Sequence, residues 1–306
     1  MHARRIDPSV AALLAAEPDA EDAVDAIRRR ARALIREVQQ VATWDGPPFD
    51  LTALASYKGF HVETSTLLRS SQEAFIVPGV ITLNGNKPPS RRRYSLAHEI
   101  GHTLFPDFDD ALRQTRKLWR DQSSASRANA SDTNVEHLCQ VAAAEFLLPE
   151  FAFRRLLNAD DLSLATVVSL AARFEASIEA TCRRSIELTS KRALAIFVQP
   201  WDTTKQTFSR GYAPRVPLRV VRAHASPAMG VCDVRPGTPA ALTSVVSKAW
   251  MRALAPTLGV DIYTATEVWP VSEAGEATDT SFTCEAMVLP YRSPSPCEVI
   301  GLFRFP

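Results

Sequence analysis

A chain of 306 residues, 46% of them hydrophobic, is long enough to bury two cores rather than one. Its 35 basic and 34 acidic residues leave a net charge of +1. That balance excludes recruitment of nucleic acid or membrane by a global field and confines any such role to a local patch.

Near the start, Arg4 and Arg5 precede Asp7, Pro8 and the apolar run "VAALLAA". The run is too short for a signal peptide, and no later stretch approaches membrane-spanning length. Five scattered cysteines, Cys139, Cys182, Cys232, Cys284 and Cys297, form no CxxC pair and read as reduced core thiols. A soluble, cytoplasmic protein is expected.

Residues 21–42 alternate apolar and charged positions at helical spacing, with acids early and five arginines late, which suits the helix dipole. Those arginines are expected on a solvated face. "DLTALASYKGFHVE" predicts a short helix ending at Gly59, then a strand. "AFIVPGVITLN" predicts two strands around Pro78-Gly79. "VITLN" is expected at a sheet edge, where a substrate backbone can add as a further strand. A helix capped by Ser90 follows and carries "SLAHEIGH".

Residues 107–134 begin charged and end rich in Ser, Ala and Asn, which predicts a partly mobile insertion. Its Arg113, Arg116, Lys117, Arg120 and Arg127 beside Trp119 suit single-stranded nucleic acid, although four aspartates dilute that field. The next helix starts near Asn134 and stops at Pro149. Two more helices, near 163–174 and 178–189, meet at Ala176-Ser177. Ser177 caps the second, which carries Arg183 and Arg184, an outline that resembles a helix-turn-helix; packing on a core explains its apolar positions equally well. From Ala193 the period changes to that of strands, with one helix near 240–255. The fold class is α+β, with domains at 1–160, 161–190 and 191–306.

In "SLAHEIGH", Leu96, Ala97, Ile100, Gly101 and Leu104 recur on one buried side. His98 and His102 stack one turn apart on another side, where their imidazoles converge on one point. Two imidazoles make half of a tetrahedral zinc site, and a catalytic zinc needs a third ligand and an open position for water. Glu99 falls beside that position, where it can take a proton from the attacking water and return it to the leaving amine. The metzincin third histidine is absent, since positions 105 and 108 are both Phe. The helix after Asn134 offers Glu136 and Glu145 at opposite edges of its apolar face, and periodicity does not choose between them.

"RRRYSLAHEIGHTLF" followed by "EHLCQVAAAEFLLP" resembles the ImmA/IrrE family of zinc metallo-endopeptidases. The family's ligand glutamate, registered on Pro149, falls on Glu136. The resemblance implies a zincin-like domain in which His98, His102 and Glu136 hold Zn2+ and Glu99 is catalytic. Cys139, Gln140, Ala142 and Leu148 depart from the family's Ala, Asn, Phe and Met. Family members often append a helix-turn-helix-like segment, and the mixed strands after residue 190 resemble GAF-like sensor domains in outline. The family typically cuts a helix-turn-helix repressor in response to DNA damage. A narrower resemblance, to the CapP type found beside bacterial anti-phage defence operons, implies single-stranded DNA as activator.

Arg91, Arg92 and Arg93 open the HEIGH helix, where positive charge opposes the dipole. They read either as neutralised by acids on another element or as a grip on an acidic substrate or nucleic acid. His137 and Tyr94 are weighed as oxyanion donors, with His137 expected in solvent and Tyr94 in the core. A DNA- or protein-binding regulator with a structural zinc is the competing function; its closed site would need Cys139 as a fourth ligand. Amidohydrolysis of a small molecule, in a deep closed pocket, is a third.

Overall fold

The computed structural model describes residues 6–42, 46–110, 132–158, 161–200, 218–230, 234–240, 244–253, 262–273, 276–289 and 298–306. The basic segment expected as an insertion lies almost wholly outside the described residues, as do Cys232 and Cys297. The chain is mixed α and β and divides into two compact units. One comprises Met1–Ala152 and Ala172–Ser177, the other Phe153–Ala171 and Ile178–Pro306. No helix among the described residues is long and apolar enough to cross a membrane.

The first unit opens with α1 (Pro8–Ala16) and α2 (Ala23–Val41). Asp7 and Asp22 accept backbone N–H groups of the first turns and so satisfy donors that a helix start leaves open. The apolar stripe of α2, including Ile27, Leu34, Ile35 and Val38, is buried. Its arginines are not all solvated: Arg29 pairs with Asp25 on its own helix, but Arg32 reaches into the fold, as described below.

Helix α3 (Leu51–Tyr57) ends before Gly59, whose φ of 81° turns the chain into strand β1 (His61–Ser65). Strands β2 (Ala74–Val77) and β3 (Val80–Asn84) complete a three-stranded sheet of order β1-β3-β2. Strand β3 pairs parallel with β1 and antiparallel with β2. "VITLN" is therefore the central strand and not an edge. Burial of Ile81, Thr82, Leu83 and Asn84 in succession accounts for this, since a two-sided strand has no solvent-facing alternate positions.

Helix α4 (Pro89–His102) starts one residue before the expected cap. Pro88 occupies the capping position with no side-chain hydrogen bond, and Pro89 begins the helix with its φ already set. Ser90 thus lies inside the first turn. Helix α5 (Asp132–Leu147) packs against both α4 and α2. From Ala142 to Leu148 every residue except Ala144 is buried, so this half of α5 has no solvent face.

Helices α6 (Glu150–Leu157) and α7 (Leu164–Phe174) follow. Glu175 takes a left-handed φ of 51° at the end of α7, which makes the tight turn before α8 (Ile178–Leu188).

The second unit contains a five-stranded antiparallel sheet, β4 (Ala193–Pro200), β5 (Leu218–Ala225), β6 (Tyr263–Glu273), β7 (Glu276–Val288) and β8 (Val299–Arg304), in the order β5-β4-β8-β7-β6. Helix α9 (Val245–Ala253) lies on one face, where Leu194, Ile196, Val198, Trp250, Phe282 and Phe303 form a core. Gly301 permits the approach: a Cβ there would stand 2.8 Å from Val246 Cγ2. Phe197 and Arg222 face the other way, and Arg222 pairs with Glu179 of α8 at 3.1 Å. Helix α8 buries Ile178, Thr181, Cys182, Arg184, Ser185, Ile186 and Leu188.

Candidate metal centre

The site forms where α4 and α5 touch. Gly101 sets their spacing, because a Cβ on it would lie 3.1 Å from the Cys139 carbonyl oxygen and 3.2 Å from the Cys139 Cα. Glycine there lets the two backbones approach more closely than a Cβ is ordinarily placed, so a side chain would have to push them apart by a few tenths of an ångström. His98 and His102, one turn apart on α4, have ring centroids 5.0 Å apart at 83°. Glu136 of α5 meets them both. His98 Nε2 lies 3.0 Å from Glu136 Oε2, and His102 Nε2 lies 3.6 Å from Glu136 Oε1. One ligand atom from each of the three residues falls within 4.8 Å of the others.

The electrostatics follow from burial without a counter-cation. Burial pushes His102 down to about 4, and His98 adds to the fall against the opposing pull of Glu136, so this imidazole is neutral at physiological pH. The hydrogen bond from His98 holds the Glu136 carboxyl below its ordinary range. Burial raises Glu99 to about 7; His98 opposes that rise and Glu136 adds to it. A neutral imidazole at His102, the second imidazole of His98, a carboxylate held below its ordinary range and an extra proton acceptor fit a divalent ion with nitrogen and oxygen preference.

A family model described as IrrE N-terminal-like domain matches residues 53–185, which contain both helices of the site. This segment is similar to the ImmA/IrrE family of metallopeptidases. Two curated relatives, the radiation response metalloproteases IrrE of Deinococcus radiodurans and Deinococcus deserti, are 35% and 33% identical over 98 residues, 32% of this chain. The chain spans 28% and 32% of their lengths. A Mycobacterium tuberculosis transcriptional regulator of known structure superposes with a TM-score of 0.58 at 14% identity, covering 97% of this chain and 80% of that one. That likeness concerns fold alone. Metallopeptidases of the matched family imply a divalent metal, and His98, His102 and Glu136 form a group among the described residues that could hold one.

The remaining sequence candidates are placed elsewhere. Glu145, the other glutamate on α5, is 1% exposed and engaged by Arg32 of α2 at 3.2 Å, while its Oε1 accepts the backbone N–H of Glu150 at 3.0 Å. It is not part of the histidine group. Arg91 pairs with Glu73 at 3.1 Å. Arg93 pairs with Glu175 at 3.5 Å and donates to the Phe49 carbonyl at 3.1 Å. Arg92 makes no ion pair among the described residues. His137 is exposed.

Tyr94 departs from its expected place in the core. It is half-buried, with its ring 6.3 Å from that of His98 and the Arg91 guanidinium 5.4 Å from its centroid. The i to i+4 spacing from Tyr94 to His98 was the available signal for that contact. Sequence reasoning placed Cys139 beside the group as a possible fourth ligand but missed its contact with the outer side of His102, where its Sγ lies 3.3 Å from Nδ1. Its signal was the i to i+3 spacing from Glu136.

Proposed function

We propose that this protein is a zinc-dependent endopeptidase in which His98, His102 and Glu136 hold the ion, Glu99 handles the proton, and the substrate is a helix-turn-helix repressor. The observation that carries the reading is the convergence of two imidazoles and a carboxylate from two helices, with a half-buried glutamate of raised pKa next to one ligand. Zinc in such a site supplies Lewis acidity that polarises a peptide carbonyl and lowers the pKa of water. The chain's own part is acid–base. Ionised Glu99 accepts the proton of the attacking water, and its carboxylic acid then donates that proton to the departing amine nitrogen. A pKa near neutrality suits both halves of this exchange.

An open site, as hydrolysis requires, is favoured over a closed structural one. Among the described residues Cys139 is the cysteine near the group, yet its sulfur lies against Nδ1 of His102, whereas Nε2 is the nitrogen nearer Glu136. The cysteine therefore adds no fourth ligand.

The repressor substrate, and activation by DNA damage or single-stranded DNA in the cytoplasm, rest on the family resemblance and on the basic, Trp119-bearing segment. In the zincin-like reading, residues 1–160 carry the chemistry. The GAF-like reading of residues 191–306 as a sensor domain is supported by the antiparallel order, 2-1-5-4-3 when counted within the unit. For residues 161–190, burial of most of α8 favours a packing role over reading DNA. The ion pairs of Arg91 and Arg93 favour neutralisation of the helix start by neighbouring acids.

The test is co-expression with the helix-turn-helix protein encoded beside the gene. Wild type is expected to yield one discrete cut; Glu99→Gln is expected to slow it by about 10²–10⁴-fold while retaining zinc. Equal cutting by both would remove Glu99 from the mechanism.

A further inference from the structure

We propose that the Cys139 thiol is a positioning residue for His102: its sulfur accepts the Nδ1–H of the imidazole, which fixes the tautomer that presents a free Nε2 lone pair to the metal. This rests on the metal site proposed above and goes beyond it, because it concerns a side chain that touches neither ion nor substrate.

The two histidines of the site differ on their outer sides. His98 Nδ1 is buried with no hydrogen-bond partner among the described residues. His102 Nδ1 faces the Cys139 sulfur at 3.3 Å, within the range for a hydrogen bond to sulfur. Their inner sides differ in the opposite sense. His98 Nε2 is 3.0 Å from Glu136 and donates its hydrogen to that carboxylate in the metal-free protein. His102 Nε2 is 3.6 Å from the other carboxylate oxygen, too far for a hydrogen bond. A neutral imidazole carries one proton, and among the described residues the acceptor within hydrogen-bond distance of a His102 ring nitrogen is the Cys139 sulfur, at Nδ1. The proton therefore sits on Nδ1, and Nε2 is ready as a ligand.

Cys139 is suited to accept without competing. It is fully buried, and its sulfur lies against Nδ1, whereas Nε2 is the ring nitrogen nearer Glu136, so it does not compete for an ion held at Nε2. Its backbone is held by the close approach of Gly101, which fixes where the sulfur points. Metal-bound histidines generally donate their other ring N–H to an acceptor, and loss of that acceptor costs about 10–100-fold in metal affinity. The acceptor is ordinarily oxygen; here it is the sulfur of Cys139, on the helix that also carries Glu136.

The test compares full-length wild type, Cys139→Ala and Cys139→Ser. Zinc affinity is measured by competition with a chromogenic chelator, and ring tautomers of the metal-free protein by long-range ¹H–¹⁵N correlation. Wild type should show His102 protonated at Nδ1 and His98 at Nε2. Cys139→Ala should bind zinc about tenfold more weakly and show mixed tautomers at His102. Cys139→Ser, which restores an acceptor, should recover most of the affinity. A role in packing alone would move thermal stability in both variants without the tautomer change. Zinc affinity in Cys139→Ala equal to wild type would overturn the inference and leave the metal site standing, as would a wild-type His102 protonated at Nε2. Wild type that binds no zinc would instead overturn the site on which the inference rests.

Discussion

Both units hold carboxylates, but the second unit buries them against cations, whereas the first leaves half-buried Glu99 and exposed Glu136 without any among the described residues. In the second unit, Glu298 is fully buried and takes the guanidinium of Arg222, and Glu285, 6% exposed, takes that of Arg304 and also accepts the backbone N–H of Leu164. These are structural charges, matched where they are buried. In the first unit, Glu99 and Glu136 sit among imidazoles that burial keeps neutral at His102, and no arginine or lysine approaches either among the described residues. Glu145 sharpens the contrast from within the same helix, for it is matched by Arg32. Negative charge gathered without compensation costs stability, and it is retained where a cation from solution is to complete it.

The strongest way to break this comparison is at Glu136. Glu136→Ala removes the only carboxylate shared by both histidines, and zinc affinity is expected to fall by about 100-fold or more in chelator competition, with the fold unchanged by circular dichroism. Unchanged affinity would mean that the ion is held elsewhere. Next in size is the opposite experiment in the second unit. Arg222→Ala removes the cation that pairs with the buried Glu298 carboxylate, and the guanidinium over the Phe197 ring. It should destabilise that unit by about 3 kcal/mol in urea unfolding, with little change in zinc binding.

The smallest expected effect is the most diagnostic. Glu99 holds a proton in the folded, metal-free protein up to about pH 7, whereas its ordinary value is 4.5. The fold therefore carries no penalty from this group below pH 4.5, where both states are protonated. The penalty grows as the pH rises from 4.5 to 7 and is complete above that. Glu99→Gln should stabilise the chelator-treated protein by about 2 kcal/mol at pH 8 and by nothing at pH 4. Thermal midpoints at the two pH values measure the difference; an equal gain at both would assign it to packing rather than charge.

Much of this was legible in local sequence. The i to i+4 pair of histidines, the apolar stripe beneath it, and the strands separated by Pro78-Gly79 are short-range signals, and the elements carrying them formed where periodicity placed them. What sequence periodicity left open was long-range. It could not separate Glu136 from Glu145, because the second half of α5 is enclosed on nearly all sides and has no polar edge to read. The separation comes from Arg32, 113 residues earlier in the chain. The same holds for β3: the sequence alone predicts a sheet edge, but β1 pairs on one side and β2 on the other. Ser90 failed as a cap because two prolines had already fixed the helix start upstream of it.

Gly101 has a further consequence. Because backbone meets backbone at this crossing, the distance between the imidazole pair and the carboxylate is dictated by main-chain contact and not by rotamer choice. The grip on an ion is thus set by the rigid frame of two crossed rods, and side-chain substitutions around the rim leave its calibre intact. One added methyl at the crossing is enough to widen it.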